Sequence, residues 1–389
     1  MARRKFNLPG IQDLSKEQED ARALPKNGQH LIVGGPGTGK SVLALLRSRR
    51  HHSDGDDYSF LVFNHLLDQA SQRLFGVELS SRQWQSWFFR SFKELTGEAV
   101  PRFPPEGNST WREFDWDRIA EIIGQHPAQS EQALPYLIID EGQDMPPQFY
   151  RALANLGFEN FYVVADQNQQ IEPGRNSTRQ DIQDCLGIEA GDVIELHLNY
   201  RNKYPIARLA REFYTGDPAS PPPKLPPSRT PTARRPMLLE YGKSQYPKLI
   251  ESVLKTSDRD PSKLIGIIAP NNFIRKNYYN SLVNSSIQLD NGIPNIRTFK
   301  SGDQKAVKFD EGGIIVINAQ ACKGLEFDTV FLADINQYRC VYGRLDMRKR
   351  LFYVMVARAI DQVIMLKEAG SHCPVDAILP DDRDVLERR

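Results

Sequence analysis

LIVGGPGTGKS, residues 31–41, decides the fold. A short apolar run that reads as a buried strand ends in glycines, and Lys40 and Ser41 then open the helical pattern VLALLRSR. Strand, glycine-rich turn and helix in that order are the context a P-loop requires, with backbone N–H groups turned toward phosphate at a helix N-terminus. In this reading Gly35, Gly37, Thr38 and Gly39 form the cradle and Lys40 brings a cation to the β and γ phosphates. Ser41 offers its hydroxyl to Mg²⁺.

PYLIIDEGQDM, residues 135–145, supplies the complementary chemistry. Asp140 stands at the carboxyl end of a buried strand, where a carboxylate can hold Mg²⁺ together with Ser41. Glu141 follows it and is placed to polarise an attacking water. A DE pair after a strand is on its own a common solvated loop; beside a P-loop it reads as the hydrolytic half of an ATP·Mg²⁺ site.

Around these motifs short apolar runs alternate with helical patterns, the signature of parallel sheets covered by helices. QHLIVGG, SFLVFN, PYLIID and FYVVAD read as strands of a first sheet. After Asp192 the pattern restarts with VIELHLNYR and continues through PMLLEY, LIGIIAP, GIIVIN, TVFLAD and QVIMLK as a second sheet. Residues 217–236, DPASPPPKLPPSRTPTARRP, carry eight prolines, which remove donors and fix φ, so they form an extended surface segment. The end from Pro374, closing in DDRDVLERR, reads as a polar, loosely held tail.

The bulk numbers agree with two globular cores: 389 residues, 40% hydrophobic and 25% charged. Lys plus Arg number 50 against 49 for Asp plus Glu, a net charge of +1, so any grip on nucleic acid must come from local patches. No apolar run approaches the roughly 18 residues of a membrane span, and MARRKFNLPG has no apolar stretch behind its basic start. A soluble cytoplasmic protein without membrane contact is expected. Cys185, Cys322, Cys340 and Cys373 form no CxxC pair, which suggests neither a zinc site nor a disulfide framework.

DEGQD (140–144), DQNQQI (166–171), LNYR (198–201), KGLEFD (323–328) and FYVMVARA (352–359) follow one another in an order and spacing that resembles the UvrD/Rep/PcrA-like superfamily 1 helicases. The resemblance runs from about Leu14 to about Leu366. It implies an α/β fold of two RecA-like parallel-sheet domains of P-loop NTPase type: residues 1–192 with a short insertion at 97–132, then 193–373, then the tail 374–389. It also implies ATP-driven travel on single-stranded DNA, with RNA a second candidate, in the 3′ to 5′ direction. Gln18, in LSKEQEDA, would read the adenine edge, Tyr200 would stack on the base and Glu326 would hold the ribose. Gln169 would sense the γ-phosphate, and Arg201 and Arg358 would reach it from the second domain, so that catalysis needs a closed cleft. Asn64 and His65 in VFNHLL, Trp84 and Gln85 in SSRQWQSWFFRSF, and Gln320 fall where the family contacts the strand. The rings of the aromatic segment could stack on bases, but a buried helix face explains the same residues and is the preferred reading for most of them.

The sequence also departs from the family. Residues 93–135 and 202–312 are too short for the usual accessory insertions, leaving a bare two-core engine. The third motif continues as QQIEPGRNST, without the tyrosine and tryptophan that stack on a base, and Ala357 stands where threonine is usual. These losses leave hydrolysis intact and weaken unwinding by the chain alone. A second function therefore stays open: an ATP-gated subunit that clamps nucleic acid or a partner such as a nuclease. A P-loop kinase or GTPase is a third class, separated by nucleotide preference.

Overall fold

The computed structural model describes residues 14–63, 81–105, 112–126, 133–166, 176–216, 221–227, 234–299, 311–338 and 345–389. Its strands fall into two sheets. β1 (Gln29–Gly34), β2 (Tyr58–Val62), β3 (Arg82–Gln83), β4 (Tyr136–Ile139), β5 (Phe161–Ala165) and β6 (Ile194–Leu196) make a sheet of order β3-β2-β4-β5-β1-β6. β7 (Met237–Tyr241), β8 (Leu264–Ala269), β9 (Ile296–Thr298), β10 (Gly313–Asn318), β11 (Phe327–Leu332), β12 (Ala359–Glu368) and β13 (Glu387–Arg388) make the other, of order β13-β7-β12-β11-β8-β10-β9. Every ladder in both sheets is parallel. This is the α/β arrangement expected of two RecA-like domains.

The near-continuous apolar strands follow from that topology, because a parallel sheet is packed on both faces. β5 and β8 are buried along their whole length, as FYVVA and LIGIIA foretell. β5 lies between β1 and β4, with Val33 opposite Ala165 and Ile139 opposite Val163. The register brings three strand ends side by side at one edge: the glycine-rich loop after β1, Asp166 after β5 and Asp140 after β4.

Two sequence expectations need correction. VIELHLNYR does not open the second sheet: Ile194–Leu196 pairs with β1 as the edge strand of the first, so the chain leaves that sheet after Leu196 and not near Asp192. The segment after Pro374 is not loosely held. Val375, Ile378, Leu379, Val385 and Leu386 are buried in the second core, and Glu387–Arg388 pairs with β7.

The two sheets repeat one local device. Among the described residues only Glu141 (φ 53) and Asp334 (φ 41) are non-glycine residues with positive φ. Each lies just past a central strand, β4 or β11, and each enters a 3₁₀ turn, Gly142–Asp144 or Ile335–Gln337. The left-handed conformation is strained for a side chain bearing Cβ. Asp334 spends its carboxylate locally, its Oδ1 accepting the hydroxyls of Tyr241 at 2.5 Å and Tyr278 at 2.7 Å.

Leu386 is fully buried, so Leu386→Ala should cost about 2–4 kcal/mol in urea unfolding. A loss under about 0.5 kcal/mol would return the segment to the surface.

Candidate active site

The glycine-rich loop needs residues without Cβ. Gly37 and Gly39 take φ of 77 and 92, and a side chain on either would strike what lies behind: Asn199 and Arg201 at Gly37, Gln18 at Gly39. The helix Lys40–Asp54 starts directly on this loop. Lys40 Nζ donates to the carbonyls of Gly34 and Gly35, both at 2.8 Å, and lies 3.4 Å from Asp166 Oδ2. Gln18 uses both prongs of its amide on the chain. Its Oε1 accepts the Ser15 N–H at 3.0 Å in a capping box, and its Nε2 donates to the Thr38 carbonyl at 2.9 Å.

The acids stand opposite. Asp140 is buried and pushed up to about 7 by that burial and by the Glu141 charge, with the nearby Ser41 hydroxyl and the Lys40 charge opposing the rise. A hydroxyl and a carboxylate brought together suit a small hard cation that keeps its other positions for phosphate and water. Among the described residues no group of three or more His, Cys, Asp or Glu gathers to enclose a metal. Burial would raise Glu141 as well, but the charges of Lys40 and Arg358, the Gln143 amide and Lys323 outweigh it and hold Glu141 below its ordinary value. Gln143 joins the two strand ends: Nε2 donates to Glu141 Oε2 at 2.7 Å, while Oε1 accepts the Asp166 N–H at 2.8 Å.

The second sheet completes the cluster. Arg358, just before β12, is 1% exposed, and its charge is felt by Glu141 and shares its surroundings with Arg201 and Glu326. Arg201 pairs with Glu326. Lys323 Nζ meets Asp144 Oδ1 at 2.5 Å with both residues buried, a bond from the turn after β10 to the turn after β4. LNYR bridges the two sides. The Tyr200 N–H donates to the Gly37 carbonyl at 2.8 Å, Asn199 caps the turn through Asn202, and Asn202 Nδ2 donates to the carbonyls of Ala357 at 3.1 Å and Ala359 at 2.5 Å. The Tyr200 ring is 53% exposed. The proline-rich segment is not wholly superficial, because Pro223 is buried and its ring rests against Gly35.

Lys40, Ser41, Asp140, Glu141, Arg201, Glu326 and Arg358 are thus brought together with the glycine-rich loop. Asn64, His65 and Gln169 lie outside the described residues. Trp84 is a correction: it is 3% exposed, stacked on Phe114 at 5.6 Å and edge-on to Phe149 at 4.8 Å, and a ring packed on its faces offers nothing to a base. Trp87 and Phe88 share that core. Gln85 is half-buried beside the Gln83 amide, and Gln320 is exposed after β10. Sequence reasoning missed Asp166, Gln143 and Lys323. Asp166 carried a signal in its place at the end of the apolar run FYVVA, the same placement that singled out Asp140.

The class these features define is an α/β protein of two all-parallel sheets with a dense charge cluster where they meet. Within it residues 313–366, which hold Lys323, Glu326 and Arg358, match the UvrD-like helicase C-terminal domain. The C-terminal domain of a possible DNA helicase from Lactobacillus plantarum WCFS1 is similar at 18% identity and a TM-score of 0.34, over 49% of this chain and 98% of that one. No curated protein matches the chain. Among the described residues no helix is long and apolar enough to cross a membrane.

The Lys323–Asp144 pair makes stability depend on pH in a definite direction. Burial, opposed chiefly by the Lys323 charge, lifts Asp144 to about 6. A native value above the unfolded one contributes stability that is complete below roughly pH 4 and is lost as pH rises through the native value. Lys323→Met removes the opposing charge, so it should cost little at pH 5, where Asp144 is largely protonated, and about 3–5 kcal/mol at pH 8. Urea midpoints at the two pH values measure this; equal losses would mean that the pair is not buried.

Proposed function

We propose that the chain hydrolyses ATP between its two sheets and couples hydrolysis to 3′ to 5′ movement on single-stranded DNA, as a compact superfamily 1 translocase or helicase. The observation that carries this reading is the meeting of second-sheet cations with first-sheet acids beside the glycine-rich loop: Lys323 with Asp144, and the Arg358 charge with Glu141. The UvrD-like match over residues 313–366 supports the helicase class.

In this mechanism ATP is the substrate and its phosphates lie on the loop 34–41. Lys40 exchanges the Gly34 and Gly35 carbonyls for phosphate oxygens. Ser41 and Asp140 would hold Mg²⁺, which supplies positive charge to the phosphates. Glu141, held ionised by its cationic neighbours, accepts a proton from the attacking water at a carboxylate oxygen. Arg201 leaves Glu326 and joins Arg358 in stabilising charge on the terminal phosphate, and Glu326 turns to the ribose. The exposed Tyr200 ring is open to an adenine face. Gln18 would read the adenine by surrendering its bonds to Ser15 and Thr38.

One observation favours the gated-subunit reading: the buried Trp84 removes a ring that a processive motor would use on the strand. In that form the same ATP cycle would clamp nucleic acid or a nuclease partner without unwinding.

Steady-state ATP hydrolysis with and without single-stranded DNA, single-stranded RNA and duplex separates these readings. Strong stimulation by one single strand identifies the motor and its track, whereas turnover indifferent to all of them favours the gated subunit. Glu141→Gln should keep ATP binding and lose about 10²–10⁴-fold in turnover. Lys40→Ala should weaken binding itself. A Glu141→Gln enzyme with full turnover would remove the assigned base.

A further inference from the structure

Tyr353 sits on the helix Leu345–Val356, five residues before Arg358, and is 2% exposed. Its ring belongs to the second core, but its hydroxyl reaches across to the first sheet: Oη would stand 3.3 Å from a Cβ placed on Gly35. Asp166 and Arg358 are among its charged neighbours. Oη is shut off from solvent and has no hydrogen-bond partner among the described residues.

The other buried tyrosines of the described residues provide the comparison. Tyr150 donates to the Gly142 carbonyl at 2.8 Å, Tyr162 to Ala21 at 3.3 Å and Tyr338 to Ile268 at 2.8 Å, while Tyr241 and Tyr278 donate to Asp334. A buried hydroxyl without a partner costs about 1–3 kcal/mol, and a phenylalanine would fill the same space without that cost. The hydroxyl is better explained by an acceptor that arrives. Gly35 lies in the loop that would hold phosphate, and Lys40, bonded to the Gly35 carbonyl, is the cation assigned to the outer phosphates.

We propose that Tyr353 is a phosphate-contacting residue whose Oη donates a hydrogen bond to the terminal phosphate of the bound nucleoside triphosphate. The inference rests on the ATP reading above and adds to it a neutral donor beside the two arginines. Because the same helix leads into Arg358, the contact ties the position of that arginine to the presence of the third phosphate. A diphosphate would leave Oη without a partner, as in the free protein.

Tyr353→Phe tests this, since it deletes one unbonded atom and keeps the ring. Its melting temperature without nucleotide should equal or exceed that of the wild type. ADP affinity should be unchanged, while affinity for the β,γ-imido analogue of ATP and the kcat for ATP should each fall about 10- to 100-fold, the range of a hydrogen bond to a charged group. Wild-type kcat with unaltered discrimination between the imido analogue and ADP would overturn the proposal. So would a drop in melting temperature without nucleotide, which would place a partner for the hydroxyl in the free protein. A wild-type chain that binds neither ATP nor its analogue would instead overturn the underlying ATP reading and this proposal with it.

Discussion

The buried pair of Lys323 and Asp144 is the constraint on which the meeting of the two sheets depends. Removing two such charges from water costs several kcal/mol per ion, and the cost is offset only when both are present in good geometry. Neither sheet can comfortably bury its half alone. Lys323 comes from the turn after β10 and Asp144 from the turn after β4, so the pair fixes the distance between the stretches that carry the other charged groups. The approach of Arg358 to Glu141 follows from that spacing.

Local hydrogen bonds carry the alignment inward. Gln143 binds the Glu141 carboxylate and the Asp166 N–H together, so the ends of β4 and β5 move as one piece. On the other side Asn202 holds the carbonyls flanking Arg358, while its neighbour Tyr200 holds the Gly37 carbonyl. The glycine-rich loop is therefore linked to the backbone on either side of Arg358 through the three residues Tyr200–Asn202. Pro223, resting on Gly35, adds a contact from the segment between the helix Tyr204–Glu212 and β7.

The parts that could be read from sequence were those with strong local causes. LIVGGPGTGKS and PYLIIDEGQDM declare themselves because a parallel strand must be apolar along its length and must end where the chemistry begins. The parts that could not be read depend on what the rest of the chain provides. Ile194–Leu196 looks like the start of a new sheet because nothing in VIELHLNYR records that β1 has an open edge. Val385 and Leu386 are too few in a charged stretch to announce a core. Trp84 has the composition of a stacking ring and of a core ring, and only Phe114 and Phe149 decide between them. The unbonded Tyr353 hydroxyl leaves no trace in sequence at all, since it is defined by the absence of an acceptor in three dimensions.

The two left-handed acids show how one plan has been put to unequal use. Glu141 and Asp334 occupy matching corners of their sheets, each held in the same costly backbone shape after the same kind of strand. Glu141 faces buried cations, Lys40 of its own side and Arg358 and Lys323 of the other sheet, whereas Asp334 faces two phenols of its own sheet and is bonded by both. The second sheet has thereby turned a reactive corner into a structural rivet. Two sheets of like architecture thus differ at this corner, one carboxylate held among charges and the other closed by hydroxyls of its own sheet.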